Sequence, residues 1–80
     1  MTSMDKKAFY GRLDDMLEVA PGTVQGSNQL ADLESWDSLA VISFIGLVDS
    51  QYQVSLPVKA IIACRTVDDL ARLVEESQRA

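Results

Sequence analysis

Histidine is absent from this sequence and cysteine occurs once, so no histidine-based triad, no disulfide within the chain and no clustered-cysteine zinc site can be assembled. A reduced, intracellular protein is the expectation. Basic residues are scarce as well: 7 lysines and arginines stand against 12 aspartates and glutamates, a net charge of -5. Such a surface repels nucleic-acid phosphates and anionic membranes, which leaves basic protein surfaces as the expected partners. Long hydrophobic runs are missing too. The longest, around Leu39 to Val48, is interrupted by Ser43 and Gly46 and is too short to span a bilayer. The opening Met1-Thr-Ser-Met-Asp-Lys-Lys has no apolar stretch behind its charges and does not read as a secretory signal. No membrane insertion, a cytoplasmic location and a monomer are the expectations.

What is present is enough for one small core. With 80 residues and 48% hydrophobic content, the chain reads as a single domain over 1–80. Folding a chain of this size removes only about 60% of its surface from water. Phe9, Leu13, Met16, Leu17 and Ala20 recur at steps of three and four, which predicts an amphipathic helix from about Asp5 to Val19, ended by Pro21-Gly22. From there to Trp36 the chain is rich in Gly, Ser, Asn and Gln, and a long loop pinned by Leu30 and Leu33 is expected. Asp37 is a good N-cap, so a second helix should begin with Ser38 as its first residue and run to Gln51 or Tyr52. Leu39, Val41, Ile42, Phe44, Ile45, Leu47 and Val48 make it apolar almost all round, as in a central, largely buried helix. Pro57 suits the first position of a short third helix ending near Cys64. Thr66-Val-Asp-Asp69 resembles a capping box with aspartate in place of glutamate, opening a last helix whose buried stripe is Val67, Leu70, Ala71 and Val74. The fold class is all-α: a bundle of three main helices plus one short helix, with a long first loop.

A serine on the first turn of a helix presents its hydroxyl to solvent, where unpaired amides and the helix dipole favour negative charge. A phosphodiester on Ser38 would be well placed there. Asp37-Ser38 is also simply a good helix start, and taken alone Asp-Ser-Leu is a weak signal. The surrounding pattern is more specific. Leu33, Asp37-Ser38-Leu39, the helix to Tyr52, Val54-Ser-Leu56-Pro57 and Thr66-Val67 together resemble the acyl carrier protein family over nearly the whole chain, without a gap from Asp37 to Val67. That resemblance implies a carrier of acyl or aminoacyl groups, held as thioesters on a 4'-phosphopantetheine arm attached to Ser38. It implies three kinds of partner: a phosphopantetheinyl transferase, an acyl-loading ligase or synthase, and an acyltransferase. Asp37 would cap the helix and help the transferase recognise it. Leu39 is either part of the contact surface or an ordinary core residue. Self-catalysed chemistry at Ser38 is not expected without a general base, no paired catalytic groups are visible, and the chain is not expected to be an enzyme. Cys64, among Ile61, Ile62 and Ala63, reads as a small core hydrophobe.

The sequence departs from carriers of primary fatty-acid synthesis, which usually display carboxylates along the second and third helices. Here that stretch offers Asp49, with Ser43 and Ser50, while the third helix has Val58, Lys59 and Ile62. The acids lie elsewhere, at Asp14, Asp15, Glu18, Asp32, Glu34, Asp68, Asp69, Glu75 and Glu76. A stand-alone carrier of a specialised pathway is the expectation, unless the apolar residues are buried and the acidic loop does the docking. Trp36 is placed to staple against Val41 or to meet a partner. No glycine pair precedes the serine, which disfavours peptidyl carriers. Gly46 in mid-helix reflects either close helix approach or room for an acyl chain. The rival reading is an unmodified carrier-fold adaptor that binds through its second and third helices.

Overall fold

A computed structural model describes residues 5–79; the opening Met1 to Met4, with its signal-free reading, lies outside them. Four α-helices follow in order: α1 (Lys6–Leu17), α2 (Ser38–Tyr52), α3 (Val58–Ile62) and α4 (Val67–Arg79), with a 3-10 turn at Leu30–Asp32. The core is Phe9 and Leu13 of α1, Phe44 and Val48 of α2, Ile61 of α3, and Val67, Leu70, Ala71 and Val74 of α4, closed by Val24, Leu30, Val54 and Leu56. The stripe expected for α4 is buried throughout.

Asp5 caps α1 by accepting bonds from the amides of Lys7 (3.0 Å) and Ala8 (3.3 Å). The helix ends earlier than its periodicity predicts. Glu18 turns left-handed (φ 57) and donates its amide to the carbonyls of Asp14 and Asp15, so Ala20 lies beyond the helix and exposed. The reason is Asp14. This residue, 3% exposed, accepts hydrogen bonds from Gly22 N (2.9 Å) and Val24 N (2.8 Å), folding the chain back across the helix end. That turn delivers Val24 into the core, an anchor the sequence reading lacked, whereas Leu33 is only half-buried.

The loop is stitched to the start of α4. Leu30 N donates to Arg65 O (2.8 Å), Val67 N to Asn28 O (3.0 Å) and Asp68 N to Gly26 O (3.0 Å), with an antiparallel bridge between Gln29 and Thr66. Tyr10 Oη donates to Asp68 Oδ1 (2.6 Å) beside Gly26, where any Cβ would collide with both side chains. The capping box is present. Asp69 Oδ2 accepts from Arg65 N (2.9 Å) and Thr66 N (3.1 Å), while Asp69 N donates to Thr66 Oγ1 (3.1 Å). Those backbone bonds from Arg65 and Thr66 hold the Asp69 carboxyl below its usual range.

Gln53, left-handed at φ 56, closes α2, and Val54 and Leu56 then drop into the core on either side of exposed Ser55. Pro57 is the N-cap of α3 rather than its first residue, and α3 stops at Ile62, two residues short of Cys64. Arg12 ties α1 to the end of α2, bonding Gln51 (2.7 Å) and lying 5.8 Å from the centre of the Tyr52 ring.

Gly46 contradicts the close-approach reading. It is exposed, nothing lies within 4 Å of where a Cβ would sit, and the space beside it is an open groove on the seam of α1 and α2, with Met16 and Leu47 in its lining. Gly46→Ala is therefore expected to stabilise the protein by about 0.5–1 kcal/mol, a rise of several degrees in Tm on thermal denaturation. An unchanged or lowered Tm would count against an open site.

The Tyr10 hydroxyl is pushed up to about 12 by its bond to Asp68, then by burial and by the Asp68 charge. Because the folded value exceeds the ordinary value of about 10, this contribution to stability is complete below about pH 10 and is lost as pH rises through the folded value. Absorbance titration should show a tyrosinate step near 12 that disappears in Tyr10→Phe and returns to about 10 in urea.

Candidate functional site

A succession of turns leads into the site. Buried Leu30 starts the 3-10 turn, Leu33 N donates to Leu30 O (3.1 Å), and Trp36 N donates to Leu33 O (3.0 Å). The Trp36 ring then packs edge-on against Phe44, 5.8 Å between centroids at 68°. The sequence pointed to Val41 as a contact; a ring partner, Phe44, lies three positions further along α2. Trp36 thus spans the start of α2 and fixes the residue that follows it.

That residue is Asp37, the N-cap. Its backbone is extended (φ -130, ψ -169), its Oδ1 accepts from Ala40 N (2.9 Å), and its carbonyl accepts from Val41 N (3.0 Å). Ser38 is the first residue of this 15-residue helix and is exposed, so its hydroxyl stands at the positive end of the helix dipole. The sequence brought Asp37 and Ser38 to this place correctly.

Leu39 resolves to the surface. It is 73% exposed, as are Ile42 at 64%, Val58 at 46% and Ile62 at 68%; these are the large hydrophobic side chains that the described residues leave in water. The expectation of a largely buried α2 therefore fails on one side. Only Ala40, Phe44 and Val48, at steps of four, are buried, while Val41, Ile45 and Leu47 are half-buried. The possibility that Val58 and Ile62 are core residues is excluded with it. A uniformly apolar helix carries no phase that would show which side faces inward, and this is why the sequence missed the exposed face.

Two further groups bear on the chemistry. Cys64 is half-buried, its Sγ donates to Ala60 O (3.4 Å), and burial, then the charge of Asp69, pushes its thiol up. It is thus a protonated filler between α3 and α4, as its apolar neighbours imply. Among the described residues no group of three acidic or cysteine side chains could hold a metal ion. No helix among them is long and apolar enough to cross a membrane.

A phosphodiester-linked group fits this arrangement. It needs an exposed hydroxyl, donors oriented towards negative charge and no side chain above it, and Ser38 at the capped head of α2 meets the first two by position. Neighbouring Leu39 and Ile42 offer apolar surface beside Ser38.

The profile of the phosphopantetheine attachment site family matches residues 10–74. No curated protein matches the sequence. Among solved structures, the holo acyl carrier protein of Geobacter metallireducens, determined by solution NMR, superposes with a TM-score of 0.76 at 18% identity, covering 95% of this chain and 88% of that one. At that identity the likeness establishes the helical fold, and the family match establishes the family. The chain belongs to the phosphopantetheine attachment site family, with the fold of an acyl carrier protein, and is a carrier domain for covalently attached 4'-phosphopantetheine.

Proposed function

We propose that Ser38 is the attachment residue and that the chain, as one domain over 1–80, presents acyl or aminoacyl groups to the enzymes of a specialised pathway. The observation that carries this reading is the exposed Ser38 hydroxyl on the first turn of α2, behind the Asp37 cap and inside the matched region. A separate phosphopantetheinyl transferase would do the chemistry of attachment. The Ser38 oxygen forms a bond to a phosphorus of coenzyme A, the pyrophosphate bridge breaks, the nucleotide half leaves, and the serine proton passes to a base of the transferase. Once bound, the group supplies a terminal thiol on which acyl groups ride as thioesters. This chain positions the hydroxyl and keeps its own thiol, Cys64, protonated and hydrogen-bonded. Partners beyond the transferase are a loading ligase or synthase and an acyltransferase, and the setting is the cytoplasm.

Specialisation rests on charge. From Ser38 to Cys64 the only charged residues are Asp49 and Lys59. Enzymes that select carriers by carboxylates on the second and third helices find few here. A ketosynthase of primary fatty-acid synthesis should turn over the acylated protein more slowly than the main carrier of its host.

Incubation with coenzyme A, magnesium and a broad-specificity transferase should add one phosphopantetheine by intact mass, and Ser38→Ala should abolish the addition. No addition to the wild type would favour the unmodified adaptor. Asp37→Ala should cost about 1 kcal/mol through the lost cap. Asp37→Ser, which restores a capping oxygen, separates two roles: recovered stability with recovered modification marks Asp37 as a cap, and recovered stability with slow modification marks it as a recognition residue.

A further inference from the structure

A pocket of about 260 Å³ lies between the end of α1 and the first loop, lined by Leu17, Val19, Val24 and Leu33 together with Asp32 and Glu34. Its aliphatic residues are buried or half-buried and its two carboxylates are exposed, so the acids belong to its open side. Hydrogen bonds hold its walls in place: Asp14 accepts from the amides of Gly22 and Val24, and Leu33 N closes on Leu30 O. No lysine or arginine occurs between Arg12 and Lys59, so the stretch of chain that makes the pocket brings no cation to Asp32 or Glu34. An aliphatic hollow with two carboxylates at its opening suits a small apolar group that bears one positive charge. Ser35 lines the pocket as well and stands three residues before Ser38, so their Cα atoms are at most about 11 Å apart.

We infer that this pocket receives the cargo carried on Ser38, and that the cargo is a short aliphatic aminoacyl group whose ammonium faces Asp32 and Glu34 while its side chain rests against Leu17, Val19 and Leu33. The inference rests on Ser38 being the attachment residue, and it decides between the acyl and aminoacyl cargoes. Reach allows it: a phosphopantetheine arm is about as long as five extended residues, roughly 16–18 Å. Size limits it, since the volume falls just below the roughly 300–1,000 Å³ of sites that hold drug-sized ligands. Tethering makes weak contacts sufficient. An exposed carboxylate adds only a small factor to binding, but a group on a short arm is present at millimolar effective concentration, so a site with a dissociation constant of about 1 mM is half-filled. A neutral acyl group gains the apolar contact alone, and a dicarboxylic one is repelled by the two acids. A basic side chain of a partner enzyme shares the chemistry of the aminoacyl group but lacks the tether.

The test loads the full chain with a broad-specificity transferase from two coenzyme A analogues in which an amide replaces the thioester, one bearing an alanyl group and the other an isobutyryl group, which has the same shape without the charge. Methyl and amide NMR spectra at roughly pH 6.5, where an α-amino group is protonated, report where the cargo sits. The alanyl form should shift the signals of Leu17, Val19, Val24 and Leu33 from their positions in the protein bearing the bare arm, and the isobutyryl form should shift them much less. Asp32→Asn and Glu34→Gln, both at exposed positions, should each lower the ratio of docked to free alanyl cargo roughly two- to five-fold. An alanyl cargo that leaves these residues unmoved, or alanyl and isobutyryl cargoes that move them alike, overturns the inference while leaving Ser38 as the attachment residue. Failure of coenzyme A and of both analogues to load the wild type overturns the carrier reading and the cargo inference together. Shifts at these residues caused by the transferase alone, and not by the alanyl cargo, would overturn the inference in favour of a partner's basic side chain.

Discussion

The rotation of α2 about its own axis is set by one buried ring. Phe44 is fully buried between Phe9 of α1, at 6.1 Å and 84°, and Trp36 ahead of α2, at 5.8 Å and 68°. Both are edge-to-face contacts of the kind aromatic quadrupoles favour, and the burial of so large a side chain outweighs that of any aliphatic residue on the same helix. Ala40 one turn earlier and Val48 one turn later complete the inward stripe. At about 100° per residue, Ser38 then lies roughly 120° from the Phe44 direction, Leu39 roughly 140° and Ile42 roughly 160°. The exposure of Ser38, Leu39 and Ile42 is thus a consequence of where Phe44 points. Turning α2 to bury Leu39 and Ile42 instead would pull Phe44 into water and break both ring contacts.

A second constraint fixes the other end of the site. The first loop would be free to wander if only its apolar residues held it, because Val24 and Leu30 are far apart in a stretch rich in small polar residues. Its placement comes from backbone bonds: Asp14 gathers the amides of Gly22 and Val24, and residues 26–30 pair with residues 65–68. Each bond is worth only about 1 kcal/mol net, yet together they fix where Leu30 enters the core, and hence where Trp36 and Asp37 start α2. Asp14 and Asp68, which look like surface charge in the sequence, bond within the fold, as Asp69 does in its capping box.

The sequence made legible whatever depended on local spacing. The four helices, the Asp37 cap, the Thr66–Asp69 capping box and the buried stripe of α4 are all written in runs of a few residues, and each is present. What it left unread depended on distant residues. Asp14 shortens α1 through amides eight and ten positions away, and nothing in the helical period of α1 signals that. The exposed half of α2 was hidden because Leu39, Val41, Ile42, Phe44 and Ile45 are alike in hydrophobicity, and only the sizes and partners of the rings separate them. In the site itself, Asp37 and Ser38 could be placed from the cap alone, whereas the side taken by Leu39 required the core.

Apart from Asp37 at the cap, charge is scarce on the helices beside Ser38. The acids sit on α1, the first loop and α4, while α2 and α3 together carry only Asp49 and Lys59. Long-range attraction from a basic surface would act on the acids of α1, the first loop and α4, Asp37 beside Ser38 among them, and is screened within about 8 Å at physiological salt. Close contact at the neutral face gains instead from removing aliphatic surface from water, which is short-ranged, insensitive to salt and indifferent to the sign of a partner's charge. A net charge of -5 makes copies of the chain repel one another, while Leu39, Ile42, Val58 and Ile62 remain in water. A contact that covers Leu39 and Ile42 would therefore gain from shape rather than from charge, which is where this side of α2 differs from the acidic sides of the fold.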